Sequence, residues 1–240
     1  EITTQRIQDQ HGSIRQQRIL ADDNAHKDRL LAWLLSNETF EKAIIFTNTR
    51  AEVQRLSEFL RRHRNGVAML HGEMTQDERN YVMQGLRDGR RDVLIATDVA
   101  GRGLDVEGMD LVINYDLARK GDEYIHRIGR TGRAGREGLA ISLIGPREWN
   151  LKAAIERYIQ QEMEPRTIQS LKAKYAGPKK LKASGKAAGP KKKKGKDIKK
   201  ALGKKGASLK KKSGPRPSKP ASSLMDKEGF APIKRKKQTD

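Results

Sequence analysis

Between residues 14 and 145, short apolar runs alternate with amphipathic stretches, and this alternation limits the possible folds more than any other feature. The runs at 14–20, 43–46, 67–70, 93–96, 111–115 and 139–144 have the length of buried strands. Leu30, Leu31, Leu34 and Leu35 recur at helical spacing behind Asp23, a residue suited to cap a helix. Val53, Leu56, Phe59 and Leu60 repeat the pattern. Further helices are expected at about 75–86, at 121–128 and at 146–159, the last with Pro146 in its first turn. Strands alternating with helices fold as successive βα units, so the chain is read as α/β with a parallel sheet covered by helices.

Charge divides the chain in two. Of the net +21, residues 177–240 carry +19, from 23 basic and 4 acidic residues, and residues 1–176 are close to neutral. The body is of ordinary domain size. The stretch 177–220 is dominated by Gly, Pro, Ser, Ala and Lys, too poor in apolar residues for a core, and is expected to be disordered. Leu224, Met225, Phe230 and Ile233 interrupt it. They are read as chance rather than as a docking element at 224–233. With no cysteine, disulfides and thiolate metal sites are excluded and a reducing compartment, the cytoplasm, is expected. No apolar run approaches the ~20 residues of a membrane-spanning helix, so no membrane partner is expected.

In such a sheet ligands sit beyond the carboxyl ends of the strands, where loops and helix N-termini present N–H groups to anions. Four polar segments fall there: 46–50, 71–79, 96–105 and 115–116. Each supplies hydroxyls, a glycine or a guanidinium, and together they predict a ligand rim. The octet at 126–133, His-Arg-Ile-Gly-Arg-Thr-Gly-Arg, sharpens the chemistry. Arg127, Arg130 and Arg133 are three apart, so on a helix they would share a face. Guanidiniums match phosphate oxygens in a fork, and Gly129 and Gly132 would admit a close backbone or nucleotide. That set suits charge on a phosphoryl group in flight. His71 and His126 lack partner ligands, so no metal site is expected. Asp98 is assigned to structural bonding rather than acid–base work, and Trp33 and Trp149 to the core rather than to base stacking.

The segments resemble, in order and spacing, motifs of the second RecA-like domain of DEAD-box RNA helicases. AIIFTNTR (43–50) resembles motif IV, HGEMTQDER (71–79) the Gln-x-x-Arg segment, and VLIATDVAGRGLD (93–105) motif V. VINYD (112–116) resembles the strand after it, and YIHRIGRTGR (124–133) motif VI. The match covers about residues 10–160 and implies a RecA-like fold at 13–165. Residues 1–12 would be a remnant of an interdomain linker and 166–240 a basic, largely disordered tail. The run Ala-Asp-Asp-x-x-His-Lys at 21–27 and the Lys-rich tail are most similar to bacterial ribosome-assembly members, which implies ribosome-assembly partners.

By this resemblance Arg130 and Arg133 would reach the γ-phosphate, His126 would couple that site to the RNA side, and Asp105 would contact the ribose or a water. Thr97 and Gly101 would hold RNA phosphates, with Thr47, Arg50, Gly72 and Arg79 lining the same strand without reading sequence. Two residues depart from the family: Ala118 replaces a usual Pro, which should loosen its loop, and Gly101 a more frequent Ala.

Neither Gly-x-x-x-x-Gly-Lys-[Ser/Thr] nor Asp-Glu-Ala-Asp occurs, and the chain does not begin with Met. The resemblance therefore implies that ATP and Mg²⁺ are bound mainly by another domain, that the chain is part of a longer protein, and that alone it hydrolyses no ATP. The tail, with one aromatic, would bind RNA through counterion release. The alternative is a stand-alone RNA-binding or annealing protein without ATPase activity, against which Arg130, Arg133 and Asp105 argue. A DNA helicase of a related family is the third reading.

Overall fold

The computed structural model describes residues 13–98, 108–132 and 137–187. Seven strands form one sheet: β1 (Ile14–Leu20), β2 (Ala43–Thr47), β3 (Val67–Leu70), β4 (Val93–Thr97), β5 (Leu111–Asn114), β6 (Gly138–Ile144) and β7 (Glu164–Arg166). Their order is β3-β4-β2-β5-β6-β1-β7, and every pair is parallel. The helices are α1 (Asn24–Asn37), α2 (Arg50–Arg61), α3 (Gln76–Arg87), α4 (Gly121–Ile128) and α5 (Trp149–Ile159), with a 3₁₀ turn at Gln169–Leu171. The sheet is the RecA-like one that the resemblance implies.

Side chains on a strand alternate between faces, and β2 shows how that sorts the core. Ala43 and Ile45 pack with Leu30, Leu31 and Leu34 of α1 and Val53, Leu56 and Leu60 of α2. Ile44 and Phe46 pack on the other face, with Met83 and Leu86 of α3, Tyr124 and Ile128 of α4, and Ile155 and Ile159 of α5. Both faces are covered, so all five residues of β2 are buried.

Helix starts follow the expected chemistry. Asp23 caps α1 by accepting from the His26 N–H at 2.8 Å. Thr49 caps α2. Thr75 and Glu78 form a reciprocal capping box at α3, whose backbone bond to Thr75 holds the Glu78 carboxyl below its ordinary range. Thr75→Ala is expected to lower stability by about 1 kcal/mol, read as a lower urea midpoint at unchanged slope.

Several boundaries shift by a residue, and three differences have a clear physical reason. α5 begins at Trp149, not at residue 146, because Pro146 lies in a turn closed by Glu148 N–H donating to the Gly145 carbonyl at 3.0 Å. β5 stops at Asn114, and the Tyr115 carbonyl instead accepts from Lys27 Nζ at 2.7 Å. The ordered body also continues past residue 165. β7 pairs with β1, Ile168 is buried, and residues 171–187 lie against the domain through Asp22, His26, Trp149 and Asn150. The disorder expected from residue 177 is thus not found as far as 187. The expectations for residues 188–240 and 1–12 lie outside the described residues.

Candidate functional site: a polar rim at the strand ends

Register places the motif segments side by side. Thr47 at the end of β2 pairs with Thr97 at the end of β4, Phe46 pairs with Asn114 of β5, and Leu70 of β3 pairs with Ala96. The residues that leave these strands, Asn48, His71, Asp98 and Tyr115, therefore emerge along one edge of the sheet. The described parts of the four expected segments thus lie side by side, and 99–105 fall outside the described residues.

One side chain ties it together. Arg127, on the last turn of α4, is only 1% exposed. Its Nε and Nη2 fork onto the two Asp98 oxygens, both at 2.6 Å. Nη2 also donates to Asn48 Oδ1 at 2.9 Å, and Nη1 to the Asp116 carbonyl at 2.5 Å. The guanidinium carbon lies 5.2 Å from the Phe46 ring centroid. A single guanidinium thus joins the loops after β2, β4 and β5, and Asp98 has the structural role assigned to it.

The expectation of three arginines on one helical face is corrected. α4 ends at Ile128 with Gly129 as its cap, so Arg130 lies beyond the helix. Arg127 turns into the domain, whereas Arg130 is half-buried. Its position is fixed by its N–H donating to the Arg127 carbonyl at 3.2 Å and by its carbonyl accepting from Met109 N–H at 3.1 Å. Gly132 has φ +69°, and a Cβ there would stand 2.5 Å from Ile14 Cγ1. The close approach that this glycine permits is therefore to the chain's own β1, not to a nucleotide.

The other expected residues divide into those the rim presents and those it uses internally. Thr47 is fully buried and its hydroxyl donates to the Thr49 carbonyl at 3.2 Å, so it shapes the turn into α2. Arg50 is exposed and ion-paired with Glu73. Arg79 donates to the carbonyls of Gly72 at 3.2 Å and Met74 at 3.3 Å, which braces the loop carrying Gly72. Gly72 and His126 are exposed and Thr97 is half-buried. Asp105, Gly101 and Arg133 lie outside the described residues.

His71 sits between these groups, 7% exposed, with Nδ1 lacking a hydrogen-bond partner. Desolvation, reinforced by the Arg50 charge, holds its pKa below the ordinary histidine value. Among the described residues no group of three His, Asp or Glu could hold a metal ion.

Sequence reasoning missed a second pin. Lys27, 4% exposed, donates to Glu148 Oε2 at 2.7 Å as well as to the Tyr115 carbonyl. Glu148 in turn accepts from the N–H groups of Gly145 at 2.8 Å and Leu117 at 3.1 Å. The Leu117 carbonyl accepts from Asn48 Nδ2 at 3.1 Å, and Ala118 is fully buried. The loop that Ala118 was expected to loosen is held from both sides. Lys27 at helical spacing from Leu30, Leu31 and Leu34 was the available signal, because it places a charge on the buried face of α1.

Comparison with known proteins identifies the family. Residues 26–135 match the family model described as the helicase conserved C-terminal domain. The chain is 42% identical over 158 residues to ATP-dependent RNA helicase SrmB of Escherichia coli, covering 66% of this chain and 36% of that protein. It is 40% identical over 145 residues to ATP-dependent rRNA helicase RRP3 of Yarrowia lipolytica, covering 60% of this chain and 30% of the relative. The chain thus spans about a third of the length of the curated relatives it matches. Among solved structures, the E. coli DEAD-box protein SrmB bound to regulator of ribonuclease activity A superposes with a TM-score of 0.67 at 41% identity. That match covers 70% of this chain and 98% of the SrmB chain. With the motif loops gathered on one strand-end rim and nearly all of that solved chain matched, the chain belongs to the DEAD-box helicases and carries their C-terminal helicase domain.

Proposed function

We propose that the protein containing this chain is an ATP-dependent RNA helicase that remodels or locally unwinds structured RNA, with ribosome assembly as its setting. The observation that carries the reading is the joining of three motif loops by Arg127, which holds groups suited to phosphates on one edge. The names of the relatives supply RNA and ATP as ligand classes, and one names rRNA.

In this reading Arg130 and Arg133 reach the γ-phosphate of a nucleotide held, with Mg²⁺, mainly by a second domain that carries the phosphate-binding loop. Asp105 contacts the ribose or a water, and His126 couples the nucleotide side to the RNA side. Thr97, Gly101, Gly72 and Arg50 meet the RNA backbone. Thr47 and Arg79, whose polar groups are turned to loop carbonyls, act by shaping the loops that do so. Arg50 would exchange its exposed pairing with Glu73 for a phosphate, a small loss, since exposed ion pairs contribute about 0–1 kcal/mol. The basic stretch after residue 187 adds sequence-independent attraction to RNA.

The test compares ATP turnover of the 240-residue chain with that of the complete protein, each with and without RNA. The expected result is RNA-stimulated turnover by the complete protein and none above background by the chain. Robust RNA-stimulated hydrolysis by the chain alone would overturn the division of labour. A complete protein that binds RNA but never hydrolyses ATP would favour the annealing alternative.

A further inference from the structure

Residues 167–187 contain six lysines and no acidic residue, a composition that reads as the start of a solvated tail. The structure gives them a fixed course. Asp22, just past the carboxyl end of β1, accepts from the N–H groups of Tyr175 at 2.7 Å and Lys174 at 3.1 Å. These two bonds hold the Asp22 carboxyl below its ordinary range. His26 Nε2 donates to the Leu171 carbonyl at 2.9 Å, while its Nδ1 accepts from the Asp22 N–H at 3.2 Å.

Trp149, on the first turn of α5 after β6, makes the second anchor. Its indole N–H donates to the Gly185 carbonyl at 3.1 Å, and its ring packs edge-on to Tyr175 and against Gly177. Asn150 accepts from the Ala187 N–H at 2.7 Å. A bridge between Leu181 and Ala187 closes the intervening turn. Both anchors lie past the carboxyl ends of β1 and β6, on the same edge of the sheet as the rim.

Lys172, Lys174, Lys179, Lys180 and Lys182 are exposed, and none of them makes an ion pair among the described residues. Five exposed ammonium groups on an ordered backbone, of which Lys174 alone feels the charge of Asp22, suit a polyanion, with less conformational entropy to lose than the same lysines on a free chain. The carboxylates nearby are Asp22, Asp23, Asp116 and Glu148, and each is tied to a donor of the domain itself, Asp23 to the His26 N–H at 2.8 Å. Asp22 is engaged by two amides, Asp116 accepts from Asn48 N–H at 2.9 Å, and Glu148 is paired with Lys27.

We propose that residues 172–182 are a fixed phosphate-binding strip that holds RNA beside the rim, positioned at its start by Asp22 and at its end by Trp149. The inference rests on the RNA reading above and adds a second, ordered contact surface to it.

Lysine acylation followed by mass spectrometry tests this on the full 240-residue chain, with and without a single-stranded RNA carrying a short hairpin. RNA should slow labelling of Lys172, Lys174, Lys179, Lys180 and Lys182 several-fold. In Trp149→Ala the protection of Lys179, Lys180 and Lys182, which lie between the Gly177 and Gly185 contacts of the indole, should fall to near unity, with Lys172 and Lys174 still held through Asp22 and protection of lysines 191–212 unchanged. If RNA binds but the five lysines label at the same rate with and without it, the strip is wrong and the RNA reading survives. Protection of Lys179, Lys180 and Lys182 that persists in Trp149→Ala would show that these lysines act as an unanchored polycation, which also overturns the proposal. If no RNA binds at all at low salt, the RNA reading fails with it.

Discussion

Arg127→Ala is expected to destabilise the domain by about 3–5 kcal/mol, the usual loss when one member of a buried ion pair is removed. The reason is what stays behind. Asp98, whose side chain is 21% exposed, would keep its charge without the fork that now satisfies both oxygens. The Asp116 carbonyl and Asn48 Oδ1 would each lose a donor. A domain of this kind has about 5–15 kcal/mol to lose, so the variant should unfold at much lower urea. Arg127→Lys should recover little, because an ammonium cannot fork onto a carboxylate. Arg127→Ala combined with Asp98→Asn should recover part of the loss, because the stranded charge is gone. A loss below about 1 kcal/mol for the single variant, the scale of an exposed pair, would mean that Arg127 does not join the loops in solution.

The second large effect concerns Arg130. In the complete protein, Arg130→Ala should lower RNA-stimulated ATP turnover by about 10³–10⁵-fold, with ATP binding little changed, as for a group that acts on the transferring phosphoryl. The structure provides the rigid base such a group needs. The Arg130 backbone is bonded at both ends, to Arg127 and Met109, and Gly132 two residues on is locked against Ile14. Arg130→Lys should remain severely impaired. Turnover within tenfold of wild type in either variant would remove Arg130 from the phosphoryl site.

The two predictions also show where the sequence could and could not be read. α4 was legible to the residue, because its ends are marked by acidic residues in the first turn and glycine at the stop. The error lay in carrying helical spacing past that stop to Arg130. Arg127 was misread for a related reason: its partners Asn48 and Asp98 are 79 and 29 residues away. Only the sheet register brings them together. β7, a Glu-Pro-Arg edge strand, has neither alternation nor β-branched residues to announce it. Residues 177–187 read as low-complexity chain because backbone amides and glycine contacts hold them, and such contacts leave almost no mark on composition. Strands such as β2 and β4 were legible because burial on both faces demands a continuous apolar run.

The pairing of β1 with β6 sets a timetable for synthesis. β1 leaves the ribosome before any other strand of the sheet, yet its partners β6 and β7 are the last two strands of that sheet to be made. At typical elongation rates of 5–20 residues per second, the 124 residues between Leu20 and Ile144 take about 6–25 s. Throughout that interval the ladder groups of β1 have no native strand beside them, and Ile14 and Ile19, buried in the finished domain, have no sheet to enter. Arg15 and Arg18 place charge in the waiting strand, which discourages two nascent chains from pairing through it. The last strands to emerge therefore decide when the first one is safe, and a ribosome stalled before residue 138 would hold a chain with its amino-terminal strand still unclaimed.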